Sequence, residues 1–297
     1  MRLDRYIRIH WPQLAFGAVS NALRRGRITV DGRRAKPTDR LGADQVVRLG
    51  GLGGESARLR AAPSAGGEAA AEPSPTDRAF LDSILVYRDD ELLVFDKPAG
   101  LAVHAGTRTT RHLEGLLAAY ADPEHGRPRL VHRLDKDTSG LIVAARRREI
   151  AAQLGRAFAA RDVTKEYRAV VAGVPSPGTG TIELPLAKVE TAAGGRVVAG
   201  HRPEASPALT RYAVLSASPD GARSLVALRP ETGRQHQLRV HMAAIGHAIL
   251  GDRLYGGAAA QRADRLLLHA ARLTFRHPRG GTLDLSAPVP AVFDVAD

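Results

Sequence analysis

The sequence predicts an α+β protein: a mixed, largely antiparallel sheet with flanking helices, preceded by a small N-terminal α/β domain. Three observations carry this. Strand and helix patterns follow one another beyond residue 80 without a regular βαβ rhythm. No G-x-G-x-x-G follows a strand, which disfavours a doubly wound nucleotide-binding sheet. Residues 50–77, GGLGGESARLRAAPSAGGEAAAEPSPTD, are mostly Gly, Ala, Ser, Pro and Glu with almost no large apolar side chains. Such a stretch cannot offset its own ordering entropy. The 297-residue chain therefore divides into a domain over 1–50, a flexible linker over 51–78 and a main domain over 79–297.

In the first part, Phe16, Val19 and Leu23 recur at helical spacing, with Arg24, Arg25 and Arg27 at the helix end and Gly26 as breaker. Arg27–Val30 is a strand leading into the Asp31-Gly32 turn, a hairpin signal, and Gln45–Leu49 is a further strand. In the main part, Ile84–Tyr87 and Glu91–Phe95 flank Asp89-Asp90 as a hairpin. Leu141–Ala144 is an apolar strand. Ile150, Leu154, Ala157 and Phe158 mark an amphipathic helix. Lys165–Ala172 alternates as a strand with Tyr167, Ala169 and Val171 on one face, and Leu225–Arg229 is another. Gln235–Ile245 reads as a helix with Leu238, Met242 and Ile245 buried and Gly246 at its end.

Lys and Arg total 43 against 31 Asp and Glu, a net charge of +12. Residues 1–50 hold ten Arg and one Lys against four Asp, net +7, so a sixth of the chain carries more than half of the excess. A short helix presenting arginines beside a hairpin suits the tracking of phosphates, and so strong a basic balance points to nucleic acid or an anionic membrane. The plain alternative is a solvated helix face on an arginine-rich protein. The absence of cysteine excludes disulfides, thiolate nucleophiles, iron–sulfur clusters and Cys-ligated zinc, and fits a reducing cytoplasm. No apolar run approaches the roughly 18 residues of a membrane span. Arg2, Asp4, Arg5, Arg8 and Pro12 break up the N-terminus, unlike a signal peptide. The expectation is a cytoplasmic protein without membrane partners; nothing in the sequence sets its oligomeric state.

The most unusual stretch is Leu130-Val-His-Arg-Leu-Asp-Lys-Asp-Thr-Ser-Gly-Leu141, which crowds His132, Arg133, Asp135, Lys136 and Asp137 between apolar flanks. That is how functional groups are presented on a loop held by a scaffold, although a surface turn with solvated ion pairs has the same look. A second dense segment is Glu231-Thr-Gly-Arg-Gln-His-Gln-Leu-Arg-Val-His241. On a helix, Arg234, Gln237 and His241 share a face opposite Leu238 and Ile245, a face that either points into a cleft or is simply exposed. His236 and His241 are five apart, wrong for a helical zinc pair, so no metal is expected. Tyr167 by itself reads as a tyrosine packed in a sheet with its hydroxyl at the edge.

His132-Arg-Leu-Asp-x-x-Thr-Ser-Gly-Leu141 resembles the signature of the RluA-type family of RNA pseudouridine synthases. Further motifs follow the family's order: Lys97-Pro-x-Gly-Leu101 with His104, Lys165-x-Tyr167, Ala208-x-Thr210, Thr232-Gly-Arg-x-His-Gln-Leu-Arg-x-His241, Gly251-Asp252 with Tyr255-Gly256, and Leu268-His-Ala270 with His277-Pro278. The likeness spans about residues 80–292. Ala105 and Ala248 stand where the family often has proline, which bears on loop geometry and not on chemistry. Residues 1–50 resemble the S-four-type RNA-binding domain, by pattern more than by letters.

This resemblance implies a central catalytic cleft in which uridine in RNA becomes its carbon-linked isomer, with no cofactor and no metal. Asp135 would be the catalytic carboxylate, as nucleophile or base. Arg234 would supply the cation beside it, and Tyr167 would stack on the uracil and assist the late proton transfer. His132, Arg133, Leu134 and Thr138 would bind the substrate, together with Lys97, His236 and Leu238. The target uridine would be flipped out of its stack. Large-subunit ribosomal RNA is the expected partner and transfer RNA the runner-up. Two other classes compete. Asp135-Lys-Asp137-Thr-Ser139 fits the D-x-D-x-T-like loop of magnesium-dependent phosphohydrolases, but His132-Arg133 separate it from a strand and no later acidic pair suits magnesium. A non-catalytic RNA-binding protein would use the same basic surface without needing Asp135, Tyr167 and Arg234.

Overall fold

The computed structural model describes residues 2–11, 14, 16–42, 45–50, 57–58, 74–105, 111–191 and 194–296. Its chain separates into two compact units, Met1–Ala69 and Ala70–Asp297.

In the first unit, α1 (Leu3–His10) and α2 (Phe16–Arg24) pack on the strands β1 (Ile28–Val30), β2 (Arg33–Arg34), β3 (Val46–Leu49) and β4 (Ala57–Arg58), ordered β2-β1-β3-β4. Leu3, Ile7, Leu23, Ile28, Val47 and Leu49 form its core. Val30 pairs with Arg33 across the Asp31-Gly32 turn, whose residues both have positive φ, 51° and 79°. Two consecutive residues at positive φ make the hairpin turn that Asp-Gly favours. The helix α1 has no counterpart in the sequence reading, although Leu3, Tyr6 and Ile7 are spaced for one face and are buried.

Two segments fall inside the predicted linker over 51–78. Ala57–Arg58 pairs with β3, and α3 (Pro75–Ser83) starts before residue 79. Ser74 caps α3 reciprocally with Asp77, and Pro75 occupies the first turn, where its missing N–H leaves nothing unpaired. The remainder of 51–73 lies outside the described residues.

The second unit continues with β5 (Leu85–Arg88), β6 (Leu92–Lys97), α4 (Leu113–Leu116), β7 (Arg129–Leu130), β8 (Ser139–Ala145), α5 (Arg148–Ala160), β9 (Thr164–Ala172) and β10 (Thr179–Glu183). Then come the two-stranded ribbon of β11 (Leu186–Thr191) and β12 (Gly194–Ala199), followed by β13 (Leu209–Ala217), β14 (Arg223–Pro230), α6 (Gln237–Ala244), β15 (Leu268–Arg276) and β16 (Thr282–Ser286). The described residues form a ten-stranded sheet ordered β10-β13-β14-β9-β15-β8-β6-β5, with β16 added to β15 and β7 to β8. The β15–β8 pair is parallel; its neighbours in the sheet run antiparallel.

Strands β6 and β8 are buried on both faces, which explains their unbroken apolar runs. Leu93, Phe95, Ile142 and Ala144 face one core, and Leu92, Val94, Leu141 and Val143 face the other, under Leu154 of α5. On the far half, α6 sets Leu238 and Met242 against Ala169, Val171, Val226 and Leu228. Tyr167 packs against both the first and the last of these cores, at the seam of the domain.

The seam depends on one glycine. Gly140 (φ 108°) pairs with Ala270, and Ala270 pairs on its other side with Tyr167. A Cβ on Gly140 would lie 2.3 Å from the carbonyl oxygen of Ala270, so only glycine allows β8 and β15 to meet there. This row of three residues brings the loop before β8 beside Tyr167.

Candidate active site

The loop between β7 and β8 carries Asp135 and is fixed at several points. Leu134 is buried with Phe95, Leu101 and Ile142. The N–H of Thr138, itself buried, donates to the Asp135 carbonyl over 3.2 Å. The carbonyl of Lys136 accepts from the Gly100 N–H at 2.9 Å and from the Lys97 ammonium at 3.0 Å. Lys97 is fully buried and donates also to the carbonyls of Pro98 and Leu101, both at 2.9 Å. Burial pulls its pKa down to about 8, with the neighbouring carboxylates opposing that shift. His132 stacks on Phe158 (4.4 Å between ring centres), and its Nε2 accepts from the Val143 N–H at 3.0 Å. Burial holds the imidazole neutral, with a pKa of about 3.

These contacts set the Asp135 carboxylate into a cavity of about 380 Å3. Tyr167 and Leu238 line it from the sheet and α6, and Arg133 and Arg234 are exposed members of its wall. Oδ2 of Asp135 stands 3.6 Å from Nη1 of Arg239 and 3.8 Å from Nε2 of His236, close enough for charge and too far for a hydrogen bond. Burial first, and then the Asp135 charge, push the Tyr167 phenol well above its ordinary value, so it is a neutral hydroxyl.

Arg239 is buried and held from behind. Its Nε and Nη2 donate to the two oxygens of Asp252 at 2.8 and 2.6 Å. Asp252 accepts further from the N–H groups of Leu254 and Tyr255. Burial alone would raise its pKa; the Arg239 bonds outweigh that and hold it low. Asp252 thus orients the guanidinium and leaves Nη1 facing Asp135. His236 is fixed in turn by the Tyr255 hydroxyl, 2.8 Å from its Nδ1. Its pKa is lowered by burial, against the pull of Asp135.

Residues 91–244 match the RNA pseudouridylate synthase family. The chain is 38% identical to an uncharacterized RNA pseudouridine synthase of Zymomonas mobilis over 70% of its own length and 94% of that protein. It is 33% identical to ribosomal large subunit pseudouridine synthase C of Vibrio vulnificus over 97% of its length and 89% of that protein. Among solved structures, human RNA pseudouridylate synthase domain containing 4 superposes with a TM-score of 0.60 at 28% identity, covering 73% of this chain and 94% of that one. The chain belongs to the RNA pseudouridylate synthase family. As an RNA pseudouridine synthase it is an isomerase, and its mixed, largely antiparallel fold is that of its structural neighbours.

The synthase departs from the sequence reading at several site residues. The cation facing Asp135 is Arg239; the Arg234 guanidinium donates instead to the Pro207 carbonyl at 3.2 Å. The cause is the helix start. His236 adopts a left-handed conformation (φ 54°), so α6 begins at Gln237 and Arg234 lies outside it. Of the polar face predicted for this helix, Arg234 and Gln237 line the cavity and His241 does not. Gln237 and His241 are buried, each 3.0 Å from the Thr210 hydroxyl, and tie the helix to β13. Lys97, read as substrate-binding, is enclosed by three carbonyls and does not line the cavity. His132 and Thr138 line it, with the His132 Nε2 taken by the Val143 N–H of β8 and the Thr138 N–H by the Asp135 carbonyl. Arg239 stands within the quoted Thr232–His241 motif, where two arginines compete. The separating signal is Asp252, a carboxylate thirteen residues on that gives one of them a buried partner.

Proposed function

We propose that this synthase isomerises a uridine of large-subunit ribosomal RNA, with Asp135 as the catalytic carboxylate. The observation that carries the reading is an Asp135 carboxylate edge with no hydrogen bond donor among the described residues, inside a cavity of nucleoside size and faced by the oriented Arg239. About 380 Å3 lies within the range of small-molecule sites. A uridine inside a duplex cannot reach such a site, so it enters flipped out, unstacking against a few kcal/mol that phosphate contacts offset.

In the reaction the bond from uracil N1 to the anomeric carbon breaks, the base turns, and ring carbon five bonds to the anomeric carbon. Carbon five then loses its proton and N1 gains one, so atoms balance without a donor. Asp135 acts on the ribose. Arg239 meets the negative charge of Asp135 as the sugar reacts. Tyr167 stacks on the uracil and assists the late proton transfer as a relay, its oxygen taking the carbon-five proton as its own hydroxyl proton passes on. Leu238 packs beside the base, and His236 closes the wall on the side of Arg239.

The ribosomal assignment draws on the relatives that are named for that substrate and align along nearly the whole chain. The first unit serves as an S-four-type RNA-binding domain, supported by its helix pair, its hairpin and its net charge of +7 over residues 1–50. It raises local RNA concentration and takes no part in the chemistry. Mapping pseudouridine in ribosomal RNA from a strain lacking the gene tests the substrate. One large-subunit position should revert to uridine and be restored by the wild-type chain. An unchanged large-subunit profile contradicts the assignment.

A further inference from the structure

Beside the catalytic cavity lies a second one, of about 250 Å3, and the two share Lys165 and Pro230 in their walls. The second cavity is cationic: Arg161, Arg211 and Arg229 line it with Lys165, against the single carboxylate of Glu231. Two of these cations are neutralised. Arg211 donates to Glu231 at 3.0 Å, and Arg229 to Glu166 at 2.7 Å. Arg161 and Lys165 have no hydrogen bond or ion pair to a carboxylate among the described residues.

Their positions follow from local structure. Lys165 precedes Tyr167 by two residues on β9, so both stand on the same face and reach the catalytic cavity, while Glu166 turns away to Arg168 and Arg229. Arg161 follows α5 as its C-cap, in a left-handed conformation (φ 69°), and lines the adjoining cavity. Burial, with Arg161 nearby, lowers the Lys165 pKa, and only Glu231 opposes this. A partly desolvated ammonium beside a guanidinium is a site for an anion. On an RNA strand whose flipped nucleoside occupies the first cavity, the anion within reach of the second is the adjoining backbone phosphate.

We propose that Arg161 and Lys165 form a phosphate subsite that grips the RNA backbone next to the flipped uridine and holds the strand in register with Asp135. The subsite rests on the proposed reading of the cleft, but it is tested by binding and not by turnover. Phosphate contacts position a nucleic acid without reading its sequence, so the effect falls on affinity and its salt dependence.

The test uses the full chain, fluorescence anisotropy and a fluorescein-labelled decauridylate, titrated between low and moderate salt. Arg161→Gln and Lys165→Gln should each make the slope of log Kd against log salt shallower by about 0.7, the value for one contact to single-stranded RNA. Arg88→Gln, on the edge strand β5 across the sheet, should leave the slope at its parent value. With transcribed ribosomal RNA, Arg161→Gln should raise KM and leave kcat unchanged, as expected when uniform binding is lost. Arg161 is exposed, so its variant keeps the test decisive should Lys165→Gln disturb Tyr167. Unchanged slopes in both subsite variants, or an equal loss in Arg88→Gln, overturn the proposal. Normal turnover by Asp135→Asn would instead overturn the reading of the cleft and leave these slopes to be judged on their own.

Discussion

Arg239 stands between two aspartates: it binds Asp252 with two hydrogen bonds of 2.8 and 2.6 Å and leaves its Nη1 3.6 Å from Asp135. The first contact fixes the guanidinium plane and the second gives it a purpose. Removing the arginine therefore does two separable things. It takes the cation from the Asp135 carboxylate, and it leaves Asp252 buried without its partner.

Arg239→Ala should abolish turnover and also lower stability by about 3–5 kcal/mol, the usual result of orphaning a buried charge. Arg239→Lys keeps the charge but not the two-point bond to Asp252, and should lose most of kcat with a smaller stability loss. Arg234→Ala should keep kcat, because that side chain is exposed and engaged with the Pro207 carbonyl. Single-turnover kinetics and urea denaturation of the three variants check this. A kcat that collapsed in Arg234→Ala and survived in Arg239→Ala would reverse the assignment.

His132 gives a pH dependence with a defined sign. Its folded pKa is about 3, below the 6.5 of the unfolded chain, so the unfolded state binds the extra proton between those values. Its contribution is fully present above pH 6.5 and is lost as pH falls toward 3, at a limiting slope of about 1.4 kcal/mol per pH unit. His132→Gln should flatten the urea stability curve between pH 7 and 5 relative to the parent. Equal slopes in the two proteins would show that His132 takes up its proton as readily in the fold as in the unfolded chain.

Gly140→Ala should destabilise the second unit by about 3 kcal/mol or more, because a Cβ at positive φ meets the Ala270 carbonyl. Ala270 also pairs with Tyr167, so any folded fraction should have impaired kcat as well as a lower Tm. A variant with parental Tm would contradict the close approach.

Much of this arrangement is legible in the sequence. The polar loop around Asp135 stands out because apolar runs bracket it, and the continuous apolar strand after it is one buried on both faces. The strand carrying Tyr167 shows its period of two. What escapes the sequence is set by tertiary contact. A lysine usually reads as solvated, and only the enclosure of Lys97 by the carbonyls of Pro98, Leu101 and Lys136 makes it internal. Arg234 and Arg239 are alike as letters. Helical periodicity starts α6 too early because it cannot foresee the left-handed His236, and the Asp252 partner lies beyond any local pattern. Residues 1–10 look too charged for a buried element, yet Leu3, Tyr6 and Ile7 fall on one helix face against β1 and β3.

The central claim is that Asp135 performs the chemistry. Its most direct test is Asp135→Asn, a near-isosteric change on a loop secured by its neighbours, assayed by tritium release from ribosomal RNA labelled at uridine carbon five. The account predicts no release above background while the variant binds the same RNA with parental affinity. Release at the parental rate would contradict it.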